Sequence, residues 1–212
     1  MKDITSYVYN FEELIQGNFL YVDKTEYIWQ MIRPSCAGYF LSRPRRFGKS
    51  LTVSTLKAVF EGKKELFKGL AIYDKPYDWK PYPVIHFDFA NCDIQSADEL
   101  IRYLNDQLSD IANLFNVQLR GDLLSVRFDN LITDIASNGN VIILVDEYDK
   151  PILNNISNQC ANEILKVLKG FYSNIKKAEG KLRFVFVTGV SKFCHVSLFS
   201  DLNNLTDITM DA

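Results

Sequence analysis

The chain has 212 residues, of which 47% are hydrophobic, 24% charged and 13% aromatic. That length suits one medium-sized domain with a core of its own, and that composition excludes a disordered polypeptide. Lys and Arg number 24 against 26 Asp and Glu, a formal charge of −2, so no global basic field directs the chain to nucleic acid or to an anionic membrane.

The N-terminal residues Met1–Tyr9 carry acidic and polar side chains where a secretory signal would need an apolar stretch. Four apolar segments read as buried strands: Gly38–Ser42, Pro83–Phe89, Val141–Val145 and Leu182–Val187. None alternates cleanly between polar and apolar, as expected of strands covered on both faces of a parallel sheet. Helical patterns fall between them. From Ser96 to about Leu119, Leu100, Ile101, Leu104, Leu108, Ile111 and Phe115 recur at three- and four-residue steps, with Ser96 as N-cap and Glu99 completing a capping box. A second helix is expected over about Asn162–Ala178, with Ile164, Leu165, Leu168 and Phe171 inward. Strands alternating with helices predict a three-layer α/β fold.

The first strand runs into Arg43-Pro44-Arg45-Arg46-Phe47-Gly48-Lys49-Ser50-Leu51. A strand, a tight loop and Gly-Lys-Ser opening a helix is the geometry of a phosphate cradle, because the loop and first helical turn offer unpaired N–H groups and the positive end of the helix dipole. Gly48 lets backbone approach the phosphates, Lys49 reaches the β- and γ-phosphates, and the Ser50 hydroxyl ligates Mg²⁺. Arg43 stands where the general motif has glycine, and Pro44 restricts it to an extended backbone, so the loop must leave the strand without a left-handed turn there. Read alone, Gly-Lys-Ser is equally an ordinary helix start beside a basic run.

The third strand, Val141–Val145, ends in Asp146-Glu147. Parallel strands deliver their C-terminal ends to the edge where α/β proteins bind ligands. There Asp146 would hold Mg²⁺ and Glu147 would orient and polarise an attacking water. The plainer alternative is two acids capping a turn, but the pairing with the upstream loop favours a nucleotide site. The fourth strand ends at Thr188-Gly189-Val190-Ser191, placing Thr188, with Ser191 as second choice, for a polar contact to the γ-phosphate and water. Arg43, Arg45, Arg46 and Lys49 crowd four cations into one loop. Arg46 is the candidate for an internal arginine finger, the alternative being pairing with Asp149 or Asp207.

Cys36, Cys92, Cys160 and Cys194 are scattered and form no CxxC pair, and with only His86 and His195 a zinc site is not expected. Reduced thiols, and the lack of any apolar run of roughly 18–20 residues, point to the cytoplasm and away from a membrane. No repeat or linker divides the chain, which reads as one domain over 1–212, with a lead segment to about 36 and a core from about 37.

With these motifs the sequence resembles the AAA-ATPase-like family of bacteria and archaea, related to archaeal and STAND-type P-loop ATPases within the AAA+ and ASCE groupings. The resemblance rests on Tyr21-Val22-Asp23-Lys24-Thr25, Arg43–Ser50, Phe67-Lys68-Gly69-Leu70, Tyr82-Pro83-Val84-Ile85, Asp146-Glu147-Tyr148-Asp149-Lys150-Pro151-Ile152-Leu153, and Phe199–Asp207. Arginine at the position of Arg43 is usual in that family. The resemblance implies ATP with Mg²⁺ as ligands, a base seat near Tyr21–Lys24, a helical lid and, in longer relatives, a C-terminal PD-(D/E)xK nuclease-like domain as effector. Because the sequence ends at Ala212, the lid and the last core strand are expected to be missing, leaving the strand ending at Ser42 at the sheet edge and inviting self-association. Glu179-Gly180-Lys181 does not amount to a nuclease set. Two functions remain open: an ATPase, towards which Glu147 tilts, and a nucleotide-dependent switch with little turnover.

Overall fold

The computed structural model describes residues 2–5, 7–136, 140–192 and 205–210. The apolar segments form the strands their composition predicts: β1 (Ala37–Ser42), β2 (Val84–Asp88), β3 (Val141–Asp146) and β4 (Leu182–Gly189). Between and around them lie α1 (Phe11–Gln16), α2 (Thr25–Ile32), α3 (Lys49–Phe60), α4 (Ala97–Leu114), α5 (Leu124–Ala136), the short α6 (Lys150–Leu153) and α7 (Ala161–Lys177). A two-residue strand, β5 (Thr206–Asp207), completes a sheet of order β2-β3-β4-β1-β5, parallel throughout.

The fifth strand corrects the expectation that β1 would lie at an open edge. Tyr39 and Phe40 pair with Thr206 and Asp207, the Ile208 amide donates to Phe40 O at 3.0 Å, and Thr209 Oγ1 accepts the Ser42 amide at 3.0 Å. Two residues are too few for a periodic pattern, which is why the strand escapes a reading of the sequence. Of the block Phe199–Asp207, residues 199–204 lie outside the described residues, as do Cys194 and His195.

β3 is buried at every position because strands flank it on both sides and helices cover both faces. Its side chains divide by parity. Ile142 and Leu144 join Phe184 and Phe186 against the α1–α3 layer, while Val141, Ile143 and Val145 join Phe87 and Val187 against α4, α5 and α7. The second layer closes on aromatic stacking, with the Phe128 and Phe171 rings 4.5 Å apart and within 10° of parallel.

α4 begins as expected. Ser96 accepts the Glu99 amide at 3.2 Å, and the Glu99 carboxylate reaches back one residue further than a standard capping box, to the Gln95 amide at 2.7 Å. It ends at Leu114 rather than Leu119, because Asn116 turns left-handed (φ 52°) and the amides of Asn116 and Val117 return to Asn113 O and Ala112 O. The strand registers then level the sheet's C-terminal ends. Asp88 lies opposite Asp146, and Ser42 opposite Gly189.

Candidate functional site

At that edge β1 opens into the arginine-rich loop. The Arg43 amide donates to Gly189 O at 3.1 Å, tying the loop's first residue to the end of β4. The extended path imposed by Pro44 is followed by left-handed residues at Arg46 (φ 66°) and Gly48 (φ 76°). A Cβ built on Gly48 meets nothing within 4 Å, so glycine serves here for backbone conformation and for access to the loop amides. Lys49, the first residue of α3, is 5% exposed, and its ammonium folds back to donate to Arg43 O and Pro44 O, each at 3.0 Å. Ser50 follows it, half-buried, and Leu51 packs against the core of the α1–α3 layer, so only Leu51's backbone can serve a ligand. Phe47 is exposed at 66%.

Among the described residues, Arg43, Arg45 and Arg46 have no acidic partner. The two acids that could have neutralised them are engaged elsewhere. Asp149 accepts the amides of Val190 (3.0 Å) and Ser191 (2.7 Å), and Asp207 pairs with Lys192 at 2.8 Å. The loop therefore keeps its positive charge at a helix N-terminus, which is the electrostatic condition for an anion.

Opposite the loop, Asp146 is 4% exposed. Its Oδ1 accepts the Glu147 amide at 3.0 Å and the Thr188 hydroxyl. Thr188 is fully buried, and the hydroxyl expected to face phosphate and water is turned onto the aspartate instead. Glu147 leaves the strand in a left-handed conformation (φ 53°), unusual for a residue with a side chain and common at functional turns. Its carboxylate lies 3.5 Å from the Lys150 ammonium, which also donates to Ala90 O in the β2–α4 loop.

Tyr148 and Asp149 fasten this turn to the end of β4. The Tyr148 amide donates to Thr188 O at 3.0 Å and its hydroxyl to Ser191 O at 2.7 Å. Burial pushes the Asp149 carboxyl above the usual carboxylate range, opposed by the amides of Ser191 and Val190 and by the charge of Lys49. Arg45, Glu147, Asp149, Lys150, Asn154 and Val190 line one small cleft. Arg45 is thus the arginine that shares a cleft with Glu147, whereas Arg46, singled out from the sequence, is an exposed left-handed turn residue.

Lys150 and Asp88 went unassigned in the sequence. Lys150 carried no local signal, because Glu147 is left-handed and lies outside α6, so helical spacing does not bring the two together; the signal for Asp88 was its place at the C-terminal end of a strand. The segment Tyr21–Lys24 is built into the fold. The Tyr21 ring meets Phe11 edge-on at 5.1 Å, and Asp23 accepts from the Thr25 amide and hydroxyl and from the Ala71 amide. Against the opposing effect of burial, those bonds hold the Asp23 carboxyl below its ordinary value. Cys92 is buried in the core, and burial pushes its thiol up to about 12. Among the described residues, no group of three or more His, Cys, Asp or Glu is placed to hold a metal ion, and no helix is long and apolar enough to cross a membrane.

A family model described as a predicted AAA-ATPase matches residues 7–199. The chain belongs to the AAA-ATPase-like family. One relative of this AAA-ATPase-like chain, "Uncharacterized protein in vnfD 5'region" of Azotobacter chroococcum mcd 1, is 40% identical over 210 residues. The match takes in 97% of this chain but 40% of the relative, so the chain spans about two-fifths of that protein's length. Among solved structures the fold is similar to the Aeropyrum pernix ORC2 protein, determined in ADPNP–ADP complexes. The TM-score is 0.50 and the identity 12%, over 92% of this chain and 50% of that one. The likeness supports the fold: a five-stranded parallel sheet of P-loop ATPase type.

Proposed function

We propose that this chain binds Mg-ATP in the loop Arg45–Leu51 and hydrolyses it, with Glu147 as the residue that activates water. The observation that carries the reading is the juxtaposition at one sheet edge of an unneutralised basic loop opening α3 and the Asp146–Glu147 turn ending β3. They are joined through β4 by the Thr188–Asp146 and Arg43–Gly189 hydrogen bonds. Lys49 would exchange its two carbonyl partners for the β- and γ-phosphate oxygens.

Ser50 and Asp146 supply two hard oxygen donors, too few for a closed metal site but suited to Mg²⁺, which keeps waters and phosphate oxygens in its shell. The ion, when bound, neutralises phosphate charge; the protein's share is placement. Thr188 acts by holding Asp146 in one rotamer. Arg45, across the cleft from Glu147, is better placed than Arg46 to meet charge developing on the γ-phosphate. The carboxylate of Glu147 accepts a hydrogen bond from water and increases its nucleophilicity.

The Glu147→Gln variant keeps size and hydrogen bonding but loses the charge. It is expected to retain ATP while steady-state phosphate release falls by about 10²–10⁴-fold. Unchanged phosphate release would reduce Glu147 to a turn residue. A wild type that binds Mg-ATP with no turnover would favour the switch reading.

A further inference from the structure

Glu147 is a poor choice for a free-standing side chain. Its backbone is left-handed, it follows the last residue of β3, and the next residue to pack firmly is Tyr148. A long carboxylate on such a turn has several rotamers within reach, and only a narrow set can address a water in line with a phosphate. Something must choose among them.

The structure places Lys150 there. Its ammonium sits 3.5 Å from Glu147 Oε2 and simultaneously donates to Ala90 O. Ala90 is itself fixed, since its amide donates to Asp88 Oδ1 at 2.8 Å and the neighbouring Phe89 amide donates to Asp146 O at 3.1 Å. The other end of Lys150 is equally secured. It opens α6, whose Pro151 is buried and whose carbonyl accepts from Asn155 Nδ2 at 3.0 Å. The same Asn155 amide group donates to Ile94 O at 2.9 Å, so the segment after Glu147 is stitched to the β2–α4 loop at two points. Lys150 therefore links the Glu147 carboxylate to a frame held by β2 and β3, and both its own side chain and that of Glu147 are about three-quarters buried.

We propose that Lys150 is the positioning residue of this site, holding the Glu147 carboxylate in the orientation from which it addresses water. The proposal rests on the reading of Glu147 given above. Lys150 acts through Glu147: although it lines the same cleft as Arg45, its ammonium is committed to Glu147 and Ala90 O, and Lys49 satisfies the phosphate loop's carbonyls without it. A single cation bridging a carboxylate and a backbone carbonyl orients better than a purely ionic contact, because the second bond fixes the ammonium in space.

The test uses the full chain with Mg-ATP, measuring phosphate release and, separately, equilibrium nucleotide binding. Lys150→Met should lower kcat by about 10²-fold, the cost of a misplacement of roughly 1 Å, while KM and ATP affinity stay within about twofold of wild type. Lys150→Arg, whose guanidinium can reach both Glu147 and Ala90 O, should recover most of that loss. The deciding arm is the double variant Lys150→Met/Glu147→Gln, expected to be no slower than Glu147→Gln alone, because both changes disable one unit.

Additive losses in the double variant, or loss of ATP binding in Lys150→Met, would overturn the positioning role and leave the Glu147 reading standing. Full rate in Glu147→Gln, or no turnover by the wild type, would fell the Glu147 reading and this proposal with it. Should Lys150→Met not fold, Lys150→Gln carries the same comparison.

Discussion

Two glycines, each given one methyl group, should move stability in opposite directions. A Cβ at Gly189 would overlap the Cδ1 and Cε1 carbons of Tyr148 and lie 2.7 Å from Asp149 Oδ1. Neither neighbour can yield. The Tyr148 ring is fully buried edge-on to Phe40 at 5.5 Å with its hydroxyl tied to Ser191 O, and Asp149 holds the amides of Val190 and Ser191. Overpacking of this kind costs about 1–3 kcal/mol, and pushing Asp149 off its amides adds about 1 kcal/mol for each hydrogen bond lost. A loss of about 3 kcal/mol in a chain of this size lowers Tm by roughly 6–12 °C.

Gly170 lies exposed within α7, and its added Cβ meets nothing within 4 Å. Gly170→Ala should therefore stabilise by about 0.5–1 kcal/mol, raising Tm by roughly 1–4 °C. Calorimetric melts of the two variants beside wild type read both signs. A Gly189→Ala protein melting with wild type would refute the close approach of the Glu147–Asp149 turn to β4, on which the geometry of the candidate site depends.

Saturating Mg-ATP should stabilise the wild type by roughly 2–4 kcal/mol at about 100–1,000 times its dissociation constant, and Lys49→Ala should lose that increment. Because Lys49 also props the carbonyls of Arg43 and Pro44, the comparison is the ATP-induced shift within each protein, read by thermal melting; equal shifts would remove the loop from phosphate binding. Asp149 gives a pH signature. Its carboxyl is raised in the folded state, so its contribution to stability is full below the unfolded value near 3.8 and is lost as pH rises through the folded value. Asp149→Asn keeps an acceptor for the two amides without titrating. The stability of wild type relative to Asp149→Asn, from urea unfolding, should therefore fall as pH rises above about 4; a pH-independent difference would show that burial of Asp149 costs nothing.

Much of the fold was legible because local physics writes it locally. Continuous apolar runs located β1 to β4, a three- and four-residue rhythm located α4 and α7, and Ser96 marked a helix start through a hydrogen bond to a near neighbour. α5 carries the same rhythm in Phe128, Leu131, Ile132 and Ile135. The end of α4 turned on the left-handed backbone of Asn116, a choice that asparagine tolerates without requiring. β5 has two residues and exists only because Tyr39 and Phe40 offer it a ladder.

The candidate site divides the same way. Local sequence is enough to place the chemical groups in order: the arginines, Gly48, Lys49 and Ser50 at the mouth of one strand, Asp146 and Glu147 at the mouth of another. Continuous apolar runs and the Gly-Lys-Ser helix start are written over a few neighbouring residues, so those placements can be read without the rest of the chain. The partners of those groups come from long-range packing. It turned the Thr188 hydroxyl onto Asp146, gave Asp149 to the amides of Val190 and Ser191 rather than to an arginine, and put Arg45 instead of Arg46 in the cleft with Glu147. It also made Asp23 a latch on Ala71. Each of these is a contact of a few ångströms between residues far apart in the chain. Its existence depends on the register of the parallel sheet and the packing of helices on it, which no local pattern encodes.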